Sequence, residues 1–232
     1  MKDLLLLGID TSGKTASAAV CADNVILAES YAVTKLTHSQ TILPMCSRVL
    51  KDAGVSLDDI ECIAAAKGPG SYTGLRIGIG AVKGMCFGTE KKCAGISSLE
   101  ALAYNFLGME AVICCVMFAR QELVYGAFFR ARDGIIERLT DDRVLPAEKL
   151  FEEAREMNVK IYAAGDFAEA FCNKFTYENI IPAPVLLRGM RASSLCFAAL
   201  NGNITTADDL NADYLQLTKA EKDLNEKSGK KE

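Results

Sequence analysis

Hydrophobic residues along this chain alternate between short unbroken runs and stripes of helical spacing, the pattern of an α/β protein. The run 4–9 has the length of a buried strand and ends in the polar turn Asp10-Thr11-Ser12-Gly13. Runs 16–21 and 25–30 flank Ala22-Asp23-Asn24 and predict a hairpin. A helix follows, with Thr37 or Ser39 as its cap, Ile42, Met45, Val49 and Leu50 on one face, and Gly54 at its end. Pro44 lies inside it and predicts a kink, because its ring crowds the preceding turn. A strand over 60–66 leads to the tight turn Gly68-Pro69-Gly70-Ser71, where Ser71 or Thr73 caps a second helix that runs to about Phe87. Residues 94–96 return as a strand, and Ser97 or Ser98 opens a helix through Leu99, Leu102 and Ala103.

Near Leu107-Gly108 the pattern restarts. Strands are predicted over 111–118 and 123–129 around a turn at Arg120-Gln121, with a third over 135–139. An amphipathic helix over 146–157, a strand over 159–164 and a helix over 167–175 follow, and Ser193 or Ser194 caps a last helix to about Leu200. The order predicts two α/β lobes, 1–106 and 107–218, and a mixed-charge tail, 219–232, with Ala220 and Leu224 as its apolar points.

Composition narrows the function classes. The chain has 232 residues, half of them hydrophobic, so it can bury a core for each lobe. Its net charge of −4 removes the default expectation of direct nucleic-acid binding. Nine scattered cysteines without C-x-x-C spacing, beside a single histidine, assemble no zinc pattern and read as buried thiols of a reducing compartment. The apolar run at the N-terminus is too short for a secretion signal or a membrane span, so a cytoplasmic location is expected.

Two motifs invite a chemical reading. Residues 8–15 fit the P-loop pattern G-x-x-x-x-G-K-[ST], whose chemistry requires a helix directly after the threonine. A predicted hairpin follows instead, so the match reads as accidental. A buried strand that ends in Asp10-Thr11-Ser12 and enters a hairpin is also how actin-like ATPase folds present a phosphate-facing loop, while a plain polar turn explains the same residues. The second motif is the helix carrying Gly74, Gly78, Gly80, Gly84 and Gly88. Each interior glycine costs about 1 kcal/mol relative to alanine, which calls for close packing, against the sheet or against a partner helix. Leu75, Ile79 and Tyr72 are expected on its exposed apolar side. His38, with Ile42 at the i+4 position, has no metal-binding companion, and no pair of carboxylates has a spacing that implies acid–base work.

Several segments together resemble the TsaB (YeaZ) family of tRNA threonylcarbamoyladenosine (t6A) biosynthesis proteins. They are Ile9-Asp10-Thr11-Ser12, His38-Ser39-Gln40 with Leu43-Pro44, the stretch from Gly68-Pro69-Gly70-Ser71-Tyr72-Thr73-Gly74 to Leu75-Arg76-Ile77-Gly78, Ala81 with Lys83-Gly84, and Ser97-Ser98-Leu99-Glu100-Ala101-Leu102. The match is dense over 4–105 and thins to Ala119-Arg120, Val124-Tyr125, Gly165-Asp166 and Tyr214-Leu215. The resemblance implies the actin-like ATPase (ASKHA, ribonuclease H-like) fold in two lobes, each a mixed sheet with helices. It implies a non-catalytic activator that forms a heterodimer with TsaD, the paralogue that transfers threonylcarbamoyl to adenosine 37 of ANN-decoding tRNAs, with TsaE joining the assembly. A homodimer is expected when the chain is alone, with tRNA contacted only indirectly and no membrane involved.

The implied partner interface lies on helices 37–53 and 73–87, through His38, Ser39, Ile42, Met45, Tyr72, Thr73, Gly74, Leu75, Arg76, Gly78 and Ile79. No catalytic residue, metal or tightly bound cofactor is expected, and ATP or ADP would sit at a subunit junction. The catalytic paralogue has an Asn-His-Leu-Glu-Gly-His type of metal-binding stretch where this chain has 97–102, so its two histidines correspond to Ser98 and Leu102. The chain departs from the family at Phe118, often acidic, and at Gln216, often arginine. The alternative reading is a stand-alone ATP-binding enzyme, actin-like or P-loop; a peptidase is disfavoured by the single histidine.

Overall fold

A computed structural model describes residues 4–33, 35–202 and 204–216. The first sheet is built on the predicted hairpin: β1 (Leu5–Asp10) pairs antiparallel with β2 (Ala16–Ala22), which pairs with β3 (Val25–Ala32). On its other side β1 runs parallel to β4 (Cys62–Gly68), and β4 runs parallel to β5 (Lys92–Ser97). α1 (His38–Asp52) and α2 (Tyr72–Cys86) cover one face, burying Ile42, Met45, Cys46 and Val49 with Ile79, Val82 and Cys86. The caps are those the sequence allowed. Thr37 donates its N–H to Gln40 Oε1 at 3.1 Å, and Ser71 Oγ accepts from Gly74 N at 3.2 Å. α1 continues through Pro44 as one helix.

The second sheet has the order β11-β10-β6-β7-β8, with β9 also on β7. Its strands are β6 (Ala111–Arg120), β7 (Leu123–Arg132), β8 (Ile135–Arg138), β9 (Arg143–Pro146), β10 (Ile161–Ala164) and β11 (Ile180–Pro182). α3 (Ser98–Ala103) joins the lobes, and α4 (Ala147–Glu156) and α5 (Ala168–Lys174) cover the outer face. Adjacent Cys114 and Cys115 point into the cores on opposite faces of β6, and all nine cysteines are thiols.

The expected lobe boundary and the expected cap of the last helix both fail. The chain over 107–218 is not a single lobe: α6 (Ala192–Leu200) packs under the first sheet, and β12 (Ile204–Thr205) pairs antiparallel with β5 at its edge. α6 lies so close to β1 that a Cβ on Gly8 would overlap the Ala192 carbonyl. Its N-cap is Arg191 rather than a serine, because Ser193 turns its hydroxyl to Glu29 at 2.7 Å and Ser194 turns its hydroxyl to Asn105 at 2.6 Å. Apart from this return, the topology is the actin-like ATPase fold. The predicted tail, 219–232, lies outside the described residues.

Candidate functional site

The loop after β1 and the start of α2 form one packed unit. Asp10 is fully buried, and its Oδ1 accepts from Ser12 N at 2.8 Å and from Ser12 Oγ at 2.7 Å. Its Oδ2 meets no partner among the described residues. Burial pushes the Asp10 carboxyl above the ordinary carboxylate range, opposed by the two Ser12 bonds and by His38. Thr11 donates its hydroxyl to the Gly74 carbonyl at 2.7 Å. Ser12 O accepts from Ser71 N at 2.7 Å, and a Cβ on Gly70 would overlap the same oxygen. His38 Nε2, facing the Gly13 carbonyl at 2.9 Å, carries the proton of that bond and ties α1 to the loop. Residues 8–15 therefore run strand–turn–strand, and the helix that a P-loop requires does not follow.

Between the lobes this loop lines a cleft of about 490 Å³ with Tyr72, Met117, Phe118, Tyr125, Asp166 and the chain 213–216. Asp166 accepts the Phe118 N–H at 3.0 Å, and enclosure of its carboxyl raises its pKa despite Lys14 nearby. Tyr214 stacks on Tyr72 with centroids 4.8 Å apart and takes the Nε–H of Arg76 at 3.1 Å, while Arg76 also covers the Tyr72 ring at 4.2 Å. Asp213 N–H donates to Lys67 O at 2.7 Å. The segment over 213–216 thus straps the cleft to the first turn of α2. Phe118 and Gln216, the two departures from the family pattern, both line the cleft, and the Gln216 amide nitrogen is enclosed without a partner among the described residues.

The outer side of α1 and α2 is the second candidate, and here sequence reasoning needs correction. Leu75 is 1% exposed and Ile79 7%, so both belong to the core and not to an exposed apolar side. Ile42 and Met45 are buried with them, as are Gly74 and Gly78, which have no Cβ because Thr11 passes directly over them. Of the expected interface residues, Ser39, Tyr72, Thr73 and Arg76 are exposed and His38 is half-buried. The outer side instead holds one further exposed apolar residue and a half-buried row that also packs against the core, in which Ala81 and Met85 continue the small-residue face expected for α2. The exposed residue is Leu43, 51% exposed, on α1, and the row is Ile77, Ala81 and Met85 at successive i+4 positions on α2. Gly80 and Gly84 face open space. Val33, Leu36, Thr37, Thr73 and Ile77 line an apolar hollow of about 440 Å³ where the two helices begin. The i, i+4 spacing Thr73-Ile77-Ala81-Met85 was the signal available in the sequence.

Ser98 and Leu102, which the resemblance sets against the paralogue's metal-binding histidines, are completely buried in α3. The Leu102 side chain packs beneath Gly165 and offers no ligand atom, so these two positions do not fit a metal ion. Among the described residues, no group of three or more His, Cys, Asp or Glu side chains is placed to hold one. No helix among them is long and apolar enough to cross a membrane.

A family model described as tRNA N6-adenosine threonylcarbamoyltransferase (TsaD) matches residues 27–221. The tRNA threonylcarbamoyladenosine biosynthesis protein TsaB of Bacillus subtilis (strain 168) is 27% identical over 223 residues, which cover 94% of this chain and 96% of the relative. The TsaB protein of Escherichia coli (strain K12) is 31% identical over 156 residues, covering 66% and 67%. The solved structure of YeaZ from Pseudomonas aeruginosa is 26% identical with a TM-score of 0.77, covering 91% of this chain and all of that one.

Proposed function

The chain belongs to the tRNA N6-adenosine threonylcarbamoyltransferase family, in its TsaB (YeaZ) branch of t6A biosynthesis proteins, and from that premise we propose that it is a non-catalytic subunit that docks and activates a TsaD partner. The observation that carries this reading is the outer side of α1 and α2. Ser39, Leu43, Thr73, Ile77 and Ala81 form an uncharged surface in which Gly80 and Gly84 leave room for close approach of another helix. Apolar centres with small residues suit helix–helix docking, and each interior glycine of α2 costs about 1 kcal/mol that nothing inside the monomer offsets at 80 and 84.

Catalysis then rests with the partner. The resemblance sets Leu102 where the paralogue has a metal ligand, and among the described residues no group of three or more metal-ligating side chains takes its place. A stand-alone ATP-binding enzyme is disfavoured because both hydroxyls of the 10–12 loop and the Ser12 N–H are already engaged within the chain, by the Gly74 carbonyl and by Asp10. Titration calorimetry on the isolated chain is expected to give no saturable ATP binding up to millimolar nucleotide; micromolar binding lost in Asp10→Ala would restore the enzyme reading.

The direct test is reconstitution. TsaD, TsaE, ATP, tRNA and threonylcarbamoyl-adenylate are incubated with and without this chain, and modified adenosine is counted by mass spectrometry. Product is expected only when this chain and TsaD are both present. Gly84→Arg, whose side chain enters open space in the monomer, is expected to retain the native melting temperature while losing complex formation more than 100-fold. A Gly84→Arg chain that binds TsaD normally would place the interface elsewhere.

A further inference from the structure

The end of α2 holds a pair of thiols that neither the docking face nor the cleft uses. Cys86 is the last residue of α2 and Cys93 lies in β5, and their sulfur atoms stand 3.4 Å apart. An S–S bond measures about 2.05 Å, so small side-chain rotations close the remaining gap. The turn between them is exposed over 87–90: Phe87 is 88% exposed, and Gly88 takes φ +71° where the chain leaves the helix. Two bonds to the Cys86 carbonyl, from the Thr89 N–H at 3.0 Å and the Thr89 hydroxyl at 2.8 Å, hold this turn shut. Cys86 is 4% exposed and Cys93 is fully enclosed. Burial pushes the Cys93 thiol up to about 12, so the closed pair is unreactive. The other cysteines differ. Cys21 and Cys196 also share a hydrogen bond, but both are sealed between β2 and α6. Cys172, the one cysteine that is not buried, lies on α5 in the other lobe.

We propose that Cys86 and Cys93 are a modification site: a small-molecule disulfide oxidises the pair to an intramolecular disulfide when the turn after α2 opens, and the new bond fastens the end of α2 to β5. Both sulfur atoms lie on the core side of α2, so the bond neither needs nor disturbs the docking face. A local opening of the turn, far short of global unfolding, brings Cys86 into water. Its thiolate attacks one sulfur of the incoming disulfide and releases one thiolate. Cys93, deprotonated in the same open state with Lys83 nearby to favour its thiolate, attacks the Cys86 sulfur and releases the second. One S–S bond breaks and one forms. The two cysteine protons pass to the two leaving thiolates, the cysteine pair loses two electrons and the reagent gains them. The bond closes a short loop and stabilises the folded chain chiefly by restricting the unfolded one.

The native chain is incubated with oxidised glutathione, and the products are mapped by peptide mass spectrometry without reduction. The expected product lacks the mass of two hydrogen atoms and contains a peptide joining Cys86 to Cys93. It releases two glutathione thiols for each bond formed and melts about 5 °C higher until dithiothreitol restores the thiols. Thr89→Ala, which loosens the turn, should form the bond about fivefold faster, and Cys172→Ser should form it at the native rate. Cys93→Ala should stop at a glutathione adduct on Cys86; if that variant fails to fold, the map of the native chain decides alone. Four outcomes would overturn the proposal: glutathione held on Cys172 while Cys86 and Cys93 stay free, a bond between other cysteines, a Cys86–Cys93 bond that forms only in urea, or an unchanged rate in Thr89→Ala.

Discussion

At the scale of single residues, α2 holds two kinds of glycine that look alike in the sequence. Gly74 and Gly78 lie against Thr11, so an added Cβ overlaps backbone oxygen or the threonine hydroxyl. Gly80 and Gly84 face open space. Gly80→Ala and Gly84→Ala are therefore expected to raise monomer stability by about 0.5–1 kcal/mol each, through reduced chain entropy and better helix propensity. Gly74→Ala should lower it by more than that, because the loop over α2 has to move. Urea midpoints of the three variants separate the cases; stabilisation by Gly74→Ala would contradict the packing described here. Asp10 supplies a pH signature. Its native carboxyl titrates above the free value of 3.8 because of burial, so the native state holds the proton more tightly than the unfolded chain. This contribution favours folding at low pH and is lost as pH rises from 3.8 through the raised native value. Asp10→Asn keeps an acceptor for Ser12 and carries no charge, so its stability relative to the native chain should increase between pH 3.8 and 7. A pH-independent difference would mean that Asp10 is not strained by ionisation.

At the scale of elements, β1 to β8, β10, the helices and two of the caps could be read from the sequence, since each rests on local spacing or on one side chain, whereas the short strands β9, β11 and β12 could not. The phase of α2 could not. Leu75, Ile77 and Ile79 are spaced by two, which on a helix spreads apolar side chains over both sides, and the intervening glycines erase the polar face that would break the tie. The structure resolves it by burying Leu75 and Ile79 and leaving Ile77 partly exposed. The expected consequences differ sharply. Leu75→Glu forces a carboxylate into the core at a cost of several kcal/mol, a large share of the roughly 5–15 kcal/mol that holds a domain together, and should unfold the monomer. Ile77→Glu should leave the circular dichroism melt within a few degrees of the native chain and still abolish the complex with TsaD. Equal loss of fold in both variants would show that the assigned phase of α2 is wrong. The candidate site was legible to the same extent: its helices could be named, but the residues that face outward needed the fold.

At the scale of the whole molecule, the restart of the pattern near residue 107 hides the return of the chain to its first lobe. α6 is apolar on nearly every side and β12 is two residues long, so neither advertises which sheet it joins. Non-local packing decides it. Leu195, Cys196, Ala198 and Ala199 fill the core against Leu6, Ala19, Cys62 and Ala64, and Leu210 seals the edge above Gly95. Asn105 fixes the path back, donating its amide to the Leu187 and Gly189 carbonyls at 3.0 and 2.8 Å and accepting from Ser194. Removal of its side chain in Asn105→Ala strips three hydrogen bonds at about 1 kcal/mol each and should destabilise the chain by about 3 kcal/mol in a single unfolding transition, because both lobes meet there. It follows that residues 1–107, although they contain β1 to β5 and both helices of the proposed docking face, are not an independent folding unit. As a fragment they should show no cooperative unfolding, since one face of their sheet lacks its helix. A chain in which a short Gly/Ser linker replaces 108–189, rejoining 190–216 to the first lobe, should recover a cooperative melt and the docking face with it. A cooperative melt of the 1–107 fragment alone would mean that α6 is an ornament of this lobe and not half of its core.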